Sequence, residues 1–157
     1  MLSALLAIVG TLLGAAVAAL LQDRSARRVE AARRRERTRS EILDAVSRLA
    51  RAASDHRRAM YLRGEAVLSG APQESTELLR ADSHDTRSQV AQPLTALRLL
   101  VTDQTVRAAA NAMIVATFAM RRAGGSMEAL SAARVKAVEA HDAFVDAAAQ
   151  HLQAADR

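Results

Sequence analysis

Eight arginines fall within sixteen positions near the head of the chain: Arg24, Arg27, Arg28, Arg33, Arg34, Arg35, Arg37 and Arg39. Only Asp23, Glu30 and Glu36 oppose them there. A guanidinium is permanently charged and offers a planar fork of donors, so such a run points to phosphate contact, in lipid headgroups or in a nucleic-acid backbone. No other residue set points to chemistry as directly. The histidines His56, His84, His141 and His151 include no i, i+4 pair and no HExxH, so no helical metal site is expected. Asp82/Asp85 and Asp142/Asp146 each share a helix face, but the Glu-x-x-His motifs of carboxylate-metal bundles are missing, and a solvated face accounts for them better. Cysteine is absent, which removes disulfides and thiolate chemistry. There is no Gly-rich phosphate loop, no GxSxG, and no nucleophile with a base at a recognisable spacing. The sequence therefore predicts no catalytic residue, no cofactor, no metal and no small-molecule substrate.

What precedes the arginines decides which phosphate they meet. Residues 1–22 (MLSALLAIVGTLLGAAVAALLQ) carry no charge and no proline. At ~1.5 Å per residue, a helix of this length matches a hydrocarbon core of ~30 Å. A signal peptide would carry its positive charge before the apolar run; although Ala16-Val17-Ala18 resembles a cleavage site, all the charge here follows it. Basic residues beside a span stay on the cytoplasmic side. The expectation is a single-pass anchor in the cytoplasmic membrane, N-terminus outside, over residues 1–22. A basic juxtamembrane helix follows over 23–40, then a cytoplasmic domain over 41–157. Gly10, Gly14 and Ala18 fall at i, i+4 and i+8, a ridge of small residues that favours close helix pairing in lipid, with a second copy or a partner membrane protein. The eight arginines are assigned to lipid headgroups and topology. A nucleic-acid contact remains the alternative, weakened by the lack of a recognition-helix pattern and of stacking aromatics nearby.

Charge is confined to one stretch. Residues 23–39 hold eight basic and three acidic side chains, whereas residues 40–157 hold fourteen of each. The pI near 11.1 therefore describes the juxtamembrane segment and not the domain. Alanine occurs 37 times and aromatics are limited to Tyr61, Phe118 and Phe144, so the core must rely on close helix approach or association.

The pattern over 41–157 is helical throughout, with no period-2 alternation bounded by hairpin turns. Ile42, Val46, Leu49, Ala53, His56, Met60 and Val67 form one stripe, which Gly64, Gly70 and Pro72 are expected to end. A second helix from near Ser75 uses Leu78, Leu79, Val90, Leu94, Leu97 and Val101, with a polar middle at 81–89 and Pro93 kinking or dividing it. Thr102-Asp103 caps a third helix with the stripe Val106, Ala110, Met113, Thr117 and Met120, widened by Ala109, Ile114 and Phe118. Gly124-Gly125 stops it, and Ser126 caps a fourth helix through about Ala155. There Leu130, Ala133, Ala137, Ala140, Phe144 and Ala148 face one way, with Val135, Val138, Val145 and Leu152 beside them. The fold class expected is all-α: an anchor helix continuing into an antiparallel helical bundle.

An uncharged N-terminal segment leading into an arginine-rich helix, then Leu97-Arg98-Leu99-Leu100 ahead of a capped Ala-rich helix, then Ala140-His141-Asp142-Ala143-Phe144-Val145-Asp146-Ala147-Ala148, resembles the actinobacterial KilB-like proteins. Those are small membrane-associated proteins linked to the spread of conjugative plasmids within the mycelium. The resemblance implies a part in DNA transfer, which the residue types alone do not. Three readings follow: a membrane-tethered, non-enzymatic scaffold that self-associates or docks a partner; a membrane protein contacting DNA through residues 24–39; and an elongated stalk, which the glycines and prolines of 64–125 argue against.

Overall fold

The structure, a computed structural model, describes the backbone of residues 2–154 and the side chains of residue 22 and residues 26–154. The elements are α1 (Leu2–Leu68), α2 (Gln73–Gln89), α3 (Ala91–Leu100), α4 (Gln104–Ala119), a short 3-10 turn (Met120–Arg122) and α5 (Met127–Ala154). No strand occurs among the described residues. The chain divides into two compact units, residues 1–40 and 41–157.

In the first unit every residue from 26 to 40 is exposed, because charged and small residues circle this stretch and leave no apolar stripe to bury. The expected membrane span rests on residues 1–21, which lie outside the residues whose side chains are described. Among the described residues, no helix is long and apolar enough to cross a membrane.

The second unit is an all-helical bundle. Its main core joins Val46, Leu49, Ala52 and Ala53 of α1 to Val90, Leu97, Val101, Val106, Ala110, Met113, Ile114, Phe144 and Ala148. A smaller cluster of Met60, Met120, Leu130 and Ala137 fills the other end. Pairings such as Arg63 with Ser83 and His56 with Thr86 run α2 antiparallel to α1. Likewise Asp103 meets His151 while Met120 meets Leu130, so α4 and α5 form an antiparallel hairpin. Burying Ala45, Ala52, Ala53 and Ala59 on one helix face brings neighbouring backbones close, which is how an alanine-rich, aromatic-poor sequence packs a core.

The punctuation has local causes. Gly70 takes φ +69°, with Ala71 N–H bonding the Ala66 carbonyl at 3.0 Å and Gly70 N–H bonding that of Val67 at 3.3 Å. This is a Schellman ending, for which a left-handed glycine is suited. Gly64, expected to help stop α1, instead lies inside it. A Cβ there would sit 2.7 Å from Leu130 Cδ2, so the glycine admits α5 rather than ending a helix. Pro93 divides the second helical segment: it has no N–H for the Gln89 carbonyl, and α2 gives way to α3 at Val90. Helix α2 begins at Gln73, two residues before the expected start, with Pro72 as its first cap. Asp103 accepts from the N–H groups of Thr105 (2.8 Å) and Val106 (3.0 Å) to cap α4, and Ser126 Oγ accepts from Ala129 N–H (3.1 Å) to cap α5. Two stripe assignments fail. Val67 and Leu78 are exposed: on α1 the neighbouring Leu68 packs against the smaller cluster instead, and α2 turns a polar face inward at Leu78.

Candidate functional site

Of the eight arginines singled out by sequence, the seven whose side chains are described share one kind of position. Arg27, Arg28, Arg33, Arg34, Arg35, Arg37 and Arg39 are exposed on α1. Arg34 Nε pairs with Glu30 Oε1 at 3.2 Å, an i, i+4 contact that is 77% and 52% exposed and so contributes little stability. At about 3.6 residues per turn, Arg28, Arg35 and Arg39 share one stripe. Arg24 lies outside the residues whose side chains are described, as do Gly10, Gly14 and Ala18.

A second group of arginines, in the bundle, converges although no sequence window contains it. From α1 come His56, Met60 and Arg63; from α2 come Arg80, Ser83, His84 and Arg87; Phe118 of α4 and Arg121 of the 3-10 turn complete the ring. They line a hollow of about 120 Å³. The spacings 56/60/63 and 80/83/84/87 are helical, so each helix offers one face to it. The polar middle of α2 thus has a structural role: Ser83 is buried and Thr86 half-buried against α1. Ser83 Oγ donates to the Arg80 carbonyl at 2.7 Å and accepts from Arg63 Nη1 at 3.4 Å. The Arg87 guanidinium lies 4.8 Å over the Phe118 ring, and Phe118 meets the His56 ring edge-on at 5.2 Å and 89°.

His56 is only 3% exposed. Thr86 Oγ1 donates to the Asp82 carbonyl at 2.9 Å and sits 3.1 Å from His56 Nδ1, so a ring protonated on Nδ1 completes the bond. Burial, then the positive charge of Arg87, lowers the His56 pKa to about 4, with Asp82 opposing and His84 adding to the shift. The imidazole is therefore neutral at pH 7. The apolar stripe read from the sequence contains His56, and the ring is buried there.

Other charged groups are structural. Arg57 has Nη1 buried without a hydrogen-bond partner among the described residues, while its Nη2 donates to Ser54 Oγ at 3.3 Å. Burial, and then Arg134, lowers its pKa, against the pull of Asp142. The Asp103 carboxyl is held below its usual range chiefly by the Val106 and Thr105 N–H groups. Arg107 closes the loop before α4, with Nε donating to the Val101 carbonyl at 2.6 Å. No group of three or more potential metal ligands occurs among the described residues. Nothing in these positions brings a nucleophile, a base and an oxyanion donor together, so no catalytic arrangement is visible among the described residues.

The comparisons with known proteins fit this architecture. The chain matches the family described as KilB plasmid transfer protein over residues 43–152, which is nearly the whole bundle. It is 39% identical over 154 residues to Protein KilB of Streptomyces lividans, covering 98% of this chain and all of that relative. No solved structure matches it. An all-helical bundle matched along its length, together with a curated relative aligned from end to end, places this chain in the KilB plasmid transfer protein family.

Proposed function

We propose that this chain is a non-enzymatic scaffold of a plasmid transfer or spread apparatus, anchored in the cytoplasmic membrane by residues 1–22 with residues 41–157 on the cytoplasmic side. The observation that carries the transfer role is the family match over residues 43–152. The anchor is supported by the uncharged apolar sequence of 1–22 followed at once by arginines, whose positive charge stays cytoplasmic and near anionic lipid. Gly10, Gly14 and Ala18 supply the small-residue ridge for pairing with a second copy or with another membrane protein.

Deleting the gene from a plasmid-bearing host and scoring plasmid spread tests both parts. Full-length protein restores spread, whereas residues 23–157 alone do not. No loss of spread on deletion would remove the transfer role; full rescue by residues 23–157 would remove the anchor. Sidedness is read by thiol labelling of a chain that has no native cysteine. Ser3→Cys labels from outside, and Ser47→Cys only after permeabilisation; exposed Ser47 is a better reporter than Ser54, which is half-buried beside Arg57. A second reading, DNA contact through the same basic stretch, is supported by the exposure of residues 26–40, and predicts binding that falls steeply with salt.

A further inference from the structure

The hollow ringed by arginines in the bundle is not accounted for by a scaffold role, and its chemistry is specific. Arg63, Arg80, Arg87 and Arg121 reach it from three separate elements, and no carboxylate lines it. None of the four has an ion-pair partner among the described residues, although residues 40–157 carry as many acids as bases. Four like charges around one concavity repel each other, and a bound anion reverses the sign of that interaction.

The geometry favours phosphate over a bare halide, because guanidinium forks match tetrahedral oxyanions in bidentate fashion. At about 120 Å³ the hollow is well below the roughly 300–1,000 Å³ of sites that hold drug-sized molecules, and suits one anionic group. Next to it lies a second hollow of about 140 Å³, lined by Met60, Arg63, Gly64, Val67, Met120, Arg121, Gly124 and Leu130. Met60, Arg63 and Arg121 border both, so a cationic hollow and a largely apolar one share a wall. The exposed Val67, out of place as a core residue, lines that second hollow. A duplex would present its phosphates on a convex surface, which a recessed ring of this size does not match.

We propose that the hollow formed by Arg63, Arg80, Arg87 and Arg121 binds the phosphate group of a small phosphate monoester, whose organic part lies over Met60, Val67 and Leu130. This goes beyond the scaffold role and stands or falls independently of it. The monoester is either a soluble metabolite or a lipid headgroup.

The test uses the full chain in a phosphate-free maltoside detergent. Inorganic phosphate, titrated against chloride at matched ionic strength, raises the melting temperature saturably and broadens the phosphorus NMR line of the free anion, as expected for a ligand of the folded state. Arg80→Gln and Arg121→Gln, both at exposed positions, each weaken phosphate binding at least tenfold while far-UV helicity is unchanged. Tighter binding of glycerol 3-phosphate than of phosphate identifies a soluble ligand; tighter binding of short-chain phosphatidic acid identifies a lipid. The proposal is overturned if chloride reproduces the shift, if both variants bind phosphate as well as the parent, or if only duplex DNA binds through these arginines.

Discussion

Arginine serves this chain in two opposite ways. Along residues 26–40 the guanidinium groups are exposed on a stretch of α1 in which every residue is exposed. In the bundle, Arg63, Arg80, Arg87 and Arg121 are brought together by packing, with Arg87 seated on Phe118 and Arg63 on Ser83. In the roles proposed above, the first group works by number and proximity, as counter-charge to a surface, and the second by position. Net charge separates them poorly. The segment with a large surplus has its arginines spread around a helix, whereas the neutral domain holds the concentrated patch.

The comparison is broken most severely by removing what holds the second group in place. Phe144 is fully buried at the centre of the main core, and Phe144→Ala is expected to cost about 3–5 kcal/mol. Chemical denaturation would measure that loss, and the variant should lose phosphate binding with it. Association of residues 23–157 with anionic vesicles should persist in the same variant, since the exposed arginines need no core.

The reverse experiment neutralises the first group. Replacing Arg28, Arg33 and Arg35 by glutamine should weaken binding to phosphatidylglycerol vesicles by about 3 kcal/mol, roughly 100-fold, at about 1 kcal/mol per charge. Co-sedimentation at low salt measures this, and the melting temperature of the bundle should not move. A bundle destabilised by these substitutions would contradict the separation of roles.

A smaller effect sharpens the picture of the hollow's floor. The His56 pKa is lowered in the folded chain, so between about 6.5 and about 4 the unfolded chain binds a proton that the folded chain does not. Stability is therefore intact above pH 6.5 and declines as pH falls toward 4, by about 2–3 kcal/mol. Urea titrations at pH 7 and pH 4.5 would show the loss, and His56→Gln should flatten this part of the profile.

Much of the bundle was legible because its helices keep strict spacing. The stripe Val106, Ala110, Met113, Thr117 and Met120 is buried along its whole length, and Asp103 and Ser126 cap where side-chain chemistry says they should. Gly64 was misread because a helix interior and a helix end can both require glycine, and only the approach of Leu130 distinguishes them. The hollow was hidden for a different reason. Its arginines are 17, 7 and 34 positions apart along the chain, so only tertiary packing makes them neighbours. A partial signal did exist: Arg80, Ser83, His84 and Arg87 recur at helical spacing within a stretch that has no apolar residue larger than Ala81, which marks a polar face with something to meet.

Pro93 does more than shorten a helix. In one unbroken helix, rotation at any residue is inherited by every residue after it, so the inward faces of 80–87 and of 94–101 would be geared together. The missing N–H at Pro93 loosens that gearing at Val90. The same stretch of chain can then aim cations at a recess and, a few residues later, drive Leu97 into the interior, without either orientation dictating the other.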